Sequence, residues 1–374
     1  MSQKILLATR PLVPPWDEAS KNFAYFLGKS VTGHELTLLT TREALTGLPD
    51  TVHQEPLFSS GHFDFSAKLR LLSYLWQTKN DYDITHYLFT PTKLNTGLIT
   101  TLLRPRGRTI QTVATLREDL YTEQELRTLL FADRIIVYTD RTKDRLAKLG
   151  IENVTRIYPG IDLDLYEPRP KNPAVLSTYG LSEDDFFVIY PGEYTRLGAT
   201  DMLAETFLQY FKEHPESNMK FLFACRIKNE ADHAKREALR SLVKEAGLEK
   251  HILFDEARAT TNMAALYNTA DVVIFPVENL KGKFDVPLII IEAYACGKPV
   301  ILSQLPEFLE FTNPDICVTI PKDSGAHLIE SLAYLKDNIE EQHRLGENAR
   351  RYVKDHFDLK NTAKQYEDIY TSLS

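Results

Sequence analysis

The strongest constraint on this chain is an alternation of short apolar runs with helical stretches that occurs twice. Lys4–Ala8, Glu35–Thr40, Ile84–Tyr87, Thr109–Ala114 and Arg134–Tyr138 read as strands, with helical patterns between them, the first from Ser20 to about Val31. Short apolar strands separated by helices indicate a parallel sheet covered on both faces, because each parallel neighbour needs a crossover. Arg10–Pro15 reads as a Pro-rich loop, Val154–Tyr158 runs into a Pro-Gly turn, and Pro168–Pro173 (PRPKNP) reads as a linker. The alternation then restarts. Phe186–Tyr190, Lys220–Ala224, Ile252–Phe254, Val272–Phe275 and Val300–Leu302 are strands. Helices are expected over Asp201–His214 and Glu230–Ala246, near Met263–Asn268, Pro287–Ala295 and Gly325–Asp337, and over the closing segment Glu347–Leu373. Two doubly wound α/β domains follow, at 1–168 and 169–350, with a C-terminal helix at 351–374.

Length agrees, since 374 residues exceed what one ordinary core organises. Apolar stretches such as Asp271–Val277 and Val286–Ile291 are far below the roughly 18 residues that span a bilayer, and the N-terminus shows no signal-peptide pattern. Cys225, Cys296 and Cys317 are odd in number and sit in apolar surroundings, as buried thiols of a reducing compartment do. A cytoplasmic protein is expected. The net charge of −8 is uneven. Residues 1–165 carry 20 Lys and Arg against 19 Asp and Glu; of the totals of 44 and 52, that leaves 24 against 33 for the rest. No basic domain or stripe marks a nucleic-acid partner.

In open α/β sheets ligands bind beyond the carboxyl ends of strands, where loops lead into helix N-termini. Three segments occupy such places. In Phe284–Val300 (FDVPLIIIEAYACGKPV), Pro287 suits a first helical turn, and Asp285 is expected as its N-cap. Asp285 and Glu292 then fall on one side of the helix about 10 Å apart, a span suited to a ligand with hydroxyls at both ends. A plain cap and a surface glutamate fit the same spacing. In Phe186–Leu203 (FFVIYPGEYTRLGATDML), Arg196 lies in a loop after a strand, where a guanidinium can clamp a diphosphate or simply be solvated. Arg226 and Lys228, after the strand ending at Ala224, form a second basic pair that can reach the same phosphate. Neither a Walker A sequence nor GxGxxG occurs.

Asp162-Leu-Asp164 superficially matches a metal-holding Asp-x-Asp, but it follows a Pro-Gly turn, and no histidine pair has ligand spacing. His86, near the end of the Ile84–Tyr87 strand, is a candidate substrate contact or a structural histidine, while Ser20, Lys21 and Asn22 open the first helix. Phe63–Lys79 (FDFSAKLRLLSYLWQTK) puts Phe65, Leu69, Leu72, Leu75 and Trp76 near one helical face, with Lys68, Arg70 and Lys79 elsewhere. Such a cationic amphipathic helix suits either a membrane surface or its own sheet.

In this order, these segments resemble glycosyltransferase family 4, the retaining nucleotide-sugar transferases with the GT-B fold. The resemblance runs through PPWDEASKN, GHELTLLTT, FADRIIVYTDRTKDRL with IYPGID, ALYNTADVVIFP, IEAYACGKPVI and the tail ENARRYVKDHFDLKNTAKQYEDIYTSL. It implies two Rossmann-like domains facing a cleft and a C-terminal helix crossing back onto the N-terminal domain. It also implies donor binding in the C-terminal domain and the acceptor against the N-terminal one. Glu292 matches the second Glu of the family's E-x7-E motif, which binds the donor ribose, and Arg196 falls in the loop that holds the pyrophosphate. Val286 and Leu288 flank the same helix start as donor contacts, with Arg226 and Lys228 beside the phosphate. Ser20, Lys21 and His86 are expected on the acceptor side. The position of the first Glu is Phe284, with Asp285 next to it; the phosphate loop GEYTRLGA lacks lysine; Ala19-Ser20 replaces a glycine pair; and Ala114 stands where a histidine is frequent.

The resemblance therefore implies a metal-independent, retaining transfer of sugar from a nucleotide-diphospho-sugar to a glycan or lipid acceptor. Asp285 would contact the sugar, Glu292 the ribose and Arg196 the diphosphate. Fixed cations would stabilise charge on the departing phosphate, with front-face transfer and no nucleophile. Peripheral contact with the inner membrane face would run through Phe63–Lys79. The alternative is a non-catalytic GT-B module that binds a nucleotide sugar or a protein partner.

Overall fold

A computed structural model describes residues 2–14, 19–89, 91–255, 262–280 and 284–373. Within PPWDEASKN, residues 15–18 lie outside the described residues. Contacts divide the chain into two compact units, one of Met1–Asp162, Phe284–Val286 and Phe357–Ser374, the other of Leu163–Lys283 and Pro287–His356.

The first unit runs β1 (Lys4–Leu12), α1 (Ala19–Ser30), β2 (Glu35–Thr41), β3 (Val52–Phe58), α2 (Phe65–Thr78), β4 (Ile84–Tyr87), α3 (Lys93–Thr101), β5 (Arg108–Val113), α4 (Glu123–Leu129), β6 (Arg134–Val137), α5 (Asp140–Lys148) and β7 (Val154–Arg156). Among the described residues its sheet is wholly parallel, in the order β3-β2-β1-β4-β5-β6-β7. The chain builds outward from β1 and then returns to β4 on its other flank. The loops leaving β1 and β4 diverge and open a crevice at the carboxyl ends of these strands. β1 is longer than the apolar run implies: Arg10 and Pro11 stay in it because Leu12 pairs with Thr40 after a register shift.

The second unit runs α6 (Pro173–Tyr179), β8 (Phe186–Tyr190), α7 (Thr200–Glu213), β9 (Met219–Phe223), α8 (Glu230–Glu245), β10 (Ile252–Phe254), α9 (Met263–Thr269), β11 (Val272–Phe275), α10 (Leu288–Ala295), β12 (Val300–Ser303), β13 (Val318–Ile320), α11 (Gly325–Asp337) and α12 (Ile339–His356). Its sheet is again parallel among the described residues, ordered β10-β9-β8-β11-β12-β13, so the order reverses between β8 and β11. Every residue of Phe186–Tyr190 in β8 and Val272–Phe275 in β11 is buried, as expected of strands covered on both faces.

The C-terminal stretch forms two helices where the sequence reads as one. α12 stops at His356, and α13 (Leu359–Ser372) packs within the first unit. Three interactions break the helix. Phe357 is buried and stacks on Tyr158 at 4.7 Å; Ile161 and Asp358 form a parallel bridge; and Asp358 caps α13 by accepting from the Lys360 N–H at 2.8 Å. The returning segment therefore begins at Phe357 and not at 351. Two layers cover the first sheet. Phe23 and Leu27 of α1 join Tyr366 and Tyr370 of α13 in one core, while Leu71 and Leu75 of α2 join Ile99 and Leu103 in the other.

Candidate functional site

In the second unit the strand order reverses beside β8, and Gly192 and Glu193 leave that strand directly into the crevice. Glu193 forms a bridge with Arg226, which extends the β8–β9 pairing past the strands' ends. This brings Arg196, Arg226 and Lys228 to one point. Arg196 donates through Nε to Glu193 Oε2 at 2.7 Å and through Nη2 to Oε1 at 3.1 Å. Lys228 Nζ donates to Oε1 at 2.6 Å, and Arg226 Nη2 lies 3.9 Å from the same oxygen. The Glu193 side chain is 4% exposed, whereas those of Arg196, Arg226 and Lys228 are 39%, 32% and 40% exposed. One sealed carboxylate thus lies under three cations that face solvent.

A second buried acid fixes the two loops. Asp232, in the first turn of α8, accepts from Thr195 Oγ1 at 2.7 Å and from the Lys228 N–H at 3.1 Å. The Glu278 N–H, beyond β11, donates to Leu197 O at 2.9 Å and ties the loop after β8 to the other side of the crevice. Together these groups can hold a multiply charged anion in an orientation set by the backbone.

Glu292 sits half-buried on α10, where Oε2 accepts from the Tyr267 hydroxyl at 3.1 Å. A carboxylate so oriented can accept from sugar hydroxyls. Asp285 is not the N-cap of α10: that position is Pro287, with no side-chain cap. Asp285 instead belongs to the first unit, where its N–H donates to Ala114 O at 2.9 Å and its Oδ2 accepts from Thr142 Oγ1, at the start of α5, at 2.6 Å. Burial pushes its carboxyl up to about 7, against the hydrogen bond from Thr142. Asp285 and Glu292 therefore fall in different units. Val286 is fully buried, so its side chain is closed to the donor contact expected of it; Leu288 is partly exposed.

In the first unit a cavity of about 180 Å³ opens at the carboxyl ends of β1, β4, β5 and β6. Arg10 and Ser20 supply polar groups to it, and Phe23, Phe89, Tyr138 and Phe284 supply aromatic walls. Lys21 is partly buried at the start of α1. His86 does not reach the cavity. It is fully buried, with Nδ1 2.8 Å from the Tyr370 hydroxyl, Nε2 2.7 Å from Thr112 Oγ1 and its ring stacked on Tyr366. The acceptor-side expectation for His86 is corrected: it joins α13 to the sheet, and burial pushes its pKa down to about 3.

The α2 helix divides its apolar residues between two faces. Ala67, Leu71 and Leu75 are buried against the sheet and Leu72 partly so, which corrects the single face expected for Leu75. Phe65, Leu69 and Trp76 remain 75%, 50% and 52% exposed, with Lys79 Nζ 3.8 Å from the Trp76 ring. Among the described residues no helix is long and apolar enough to cross a membrane, and no group of three or more His, Cys, Asp or Glu has metal-holding geometry. Cys225, Cys296 and Cys317 are buried and form no disulfide with one another.

Two parallel doubly wound units, each with polar groups at its point of strand reversal, make up the architecture known as GT-B. Residues 177–352 match the family described as glycosyl transferases group 1, residues 26–165 match glycosyltransferase family 4, and the chain belongs to this family. Curated relatives include D-inositol 3-phosphate glycosyltransferase 2 of Catenulispora acidiphila, 29% identical over 46% of this chain and 40% of the relative. The D-inositol 3-phosphate glycosyltransferase of Corynebacterium kroppenstedtii is 25% identical over 64% of this chain and 53% of the relative. The chain thus spans about half the length of these relatives. Among solved structures, Anabaena HepE in complex with UDP-glucose superposes with TM-score 0.75 at 16% identity, covering 99% of this chain and 100% of that one. Sucrose-phosphate synthase of Thermosynechococcus elongatus gives 0.73 at 18% identity, covering 99% of each. At these identities the likeness is one of fold.

Proposed function

We propose that this chain is a retaining glycosyltransferase that moves a sugar from a nucleotide-diphospho-sugar to a hydroxyl of a glycan or lipid, without a metal ion. The observation that carries this reading is the convergence of Arg196, Arg226 and Lys228 at the β8–β11 reversal. These cations would hold the donor diphosphate and stabilise the charge that develops on it as the glycosidic bond breaks, the task a divalent ion performs elsewhere. Glu292 would accept from the ribose hydroxyls, Asp285 would contact the sugar, and the cavity beside Arg10 and Ser20 would receive the acceptor. UDP is the first nucleotide to try, since HepE is solved with UDP-glucose.

The test is a thermal-shift titration with UDP, GDP, ADP and dTDP on the wild type, Arg196→Ala and Glu292→Gln. A ligand at 100 times its Kd stabilises by about 2.7 kcal/mol. A shift with one nucleotide, reduced in both variants, supports the donor site. A cooperative melt unmoved by all four overturns it. Binding without sugar transfer to any acceptor would instead favour a non-catalytic module.

The uncovered Phe65, Leu69 and Trp76 beside Lys68, Arg70 and Lys79 support peripheral contact with an anionic membrane. Sedimentation with vesicles of anionic phospholipid should fall at least severalfold in Trp76→Glu. Equal pelleting of both proteins would remove this part of the reading.

A further inference from the structure

The cations of the donor site already hold an anion supplied by the chain. Arg196 meets Glu193 side-on through Nε and Nη2, which leaves the Nη1 edge of the guanidinium for a second acceptor. Lys228 gives Glu193 one of its three ammonium donors, at 2.6 Å. A lone carboxylate buried to this degree is stable only when charges and hydrogen bonds compensate it, and three cations more than do so. Counted against both buried acids of the site, Glu193 and Asp232, the three cations keep a formal excess of one positive charge, and their side chains are the ones that reach solvent.

We propose that Glu193 is a positioning residue with a second consequence: it is the internal counter-ion that sets how tightly the diphosphate is held and how fast it leaves. The inference rests on the donor-site reading above. Three cations crowded together repel one another and would spread into water; the carboxylate gathers them before any ligand arrives. The same carboxylate opposes the incoming phosphates through space and competes for the same N–H groups. After transfer the leaving diphosphate carries more charge than the esterified donor, so it meets the stronger opposition. Glu193 thus weakens the product more than the donor and favours turnover.

Loss of this charge has a defined signature. A diphosphate brings enough negative charge to gather the three cations itself, so replacing the carboxylate by an amide removes more repulsion than positioning. Binding of inorganic pyrophosphate and UDP would be measured by calorimetry from about 50 to about 200 mM salt, a range over which screening of exposed charges changes appreciably. Proteins for comparison are the wild type, Glu193→Gln, Glu193→Asp and Arg196→Ala, each first shown to melt cooperatively without ligand. Glu193→Gln should bind both probes about tenfold more tightly at low salt, with steeper salt dependence and slower UDP dissociation. Glu193→Asp, whose carboxylate is drawn back by one methylene, should tighten about threefold and decides the matter if the amide variant does not fold. A purely structural glutamate would lower the melting temperature and leave the salt dependence unchanged. Unchanged or weaker binding in the folded variants, with the wild type binding and Arg196→Ala impaired, overturns the inference and spares the donor site. No binding of either probe by the wild type removes both.

Discussion

Asp285 should make the first unit less stable as pH rises. Burial pushes its carboxyl from an ordinary 3.8 up to about 7, so between these values the folded chain holds a proton that the unfolded chain has released. The stability contributed by the neutral form is complete below about pH 4 and is lost as pH climbs through 7. Each pKa unit corresponds to about 1.4 kcal/mol, which puts the ceiling near 4 kcal/mol, and partial exposure of Asp285 reduces the expectation to about 2 kcal/mol. Asparagine keeps an oxygen for Thr142 and cannot ionise. The stability of Asp285→Asn minus that of the wild type should therefore be flat below pH 4, grow through neutrality and level off near pH 8. His86 contributes with the opposite sign. Its pKa is lowered to about 3, so its share of stability is present above the ordinary 6.5 and lost on acidification, and it cancels in the difference curve. The assay is urea unfolding followed by tryptophan fluorescence, since Trp76, in α2, belongs to the first unit. A difference curve without slope from pH 4 to 8 would refute the reasoning, because it would mean that Asp285 ionises as freely folded as unfolded.

Tyr370→Phe removes the hydroxyl that meets His86 Nδ1 in a dry core, and should cost about 1–3 kcal/mol by urea unfolding. Gly198 has φ +82°, and a Cβ there would lie 2.5 Å from Glu278 Cδ. Gly198→Ala should therefore lower stability by about 1–2 kcal/mol and weaken nucleotide binding through the same loop, both readable in one thermal-shift series. Arg196→Ala and Lys228→Ala should each weaken UDP binding roughly tenfold to a hundredfold in calorimetry, as expected for loss of a charged hydrogen bond of about 1.5–3 kcal/mol.

The architecture was legible where strands are buried on both faces. Such strands read as unbroken apolar runs, and β8 and β11 stand at the expected residues. Edges were legible only in part: β10 stands at Ile252–Phe254 as expected, but β3, with sequence VHQEPLF, is half-exposed and carries a proline, and β13, Val318–Ile320, has a single buried residue, so neither forms an apolar run. The helix α6 was hidden in the supposed linker: Asn172 caps it and Pro173 opens it, and these residue types signal a turn equally well. The break between α12 and α13 depends on Tyr158 and Ile161, far away in the chain.

For the site, local and distant information separate in the same way. Arg196, Arg226 and Lys228 could be picked out because cations directly after parallel strands face the carboxyl end of a sheet whatever else the chain does. Glu193 could not, because a search for a phosphate site favours positive charge, and the role of this acid exists only once Lys228, 35 residues on, folds against it. His86 shows the converse. A histidine near the carboxyl end of a strand invites a functional reading, but its partners are Thr112 and Tyr370, 26 and 284 residues away. Neither proximity can be inferred from composition or spacing. Asp285 illustrates a third limit. Asp before Pro at a helix start is sound capping chemistry, yet the Thr142 hydroxyl and Ala114 carbonyl draw it into the first unit and leave α10 to begin at Pro287 uncapped. A cap worth about 1 kcal/mol is readily exchanged for two hydrogen bonds elsewhere, so local rules predicted the helix correctly and its acid incorrectly.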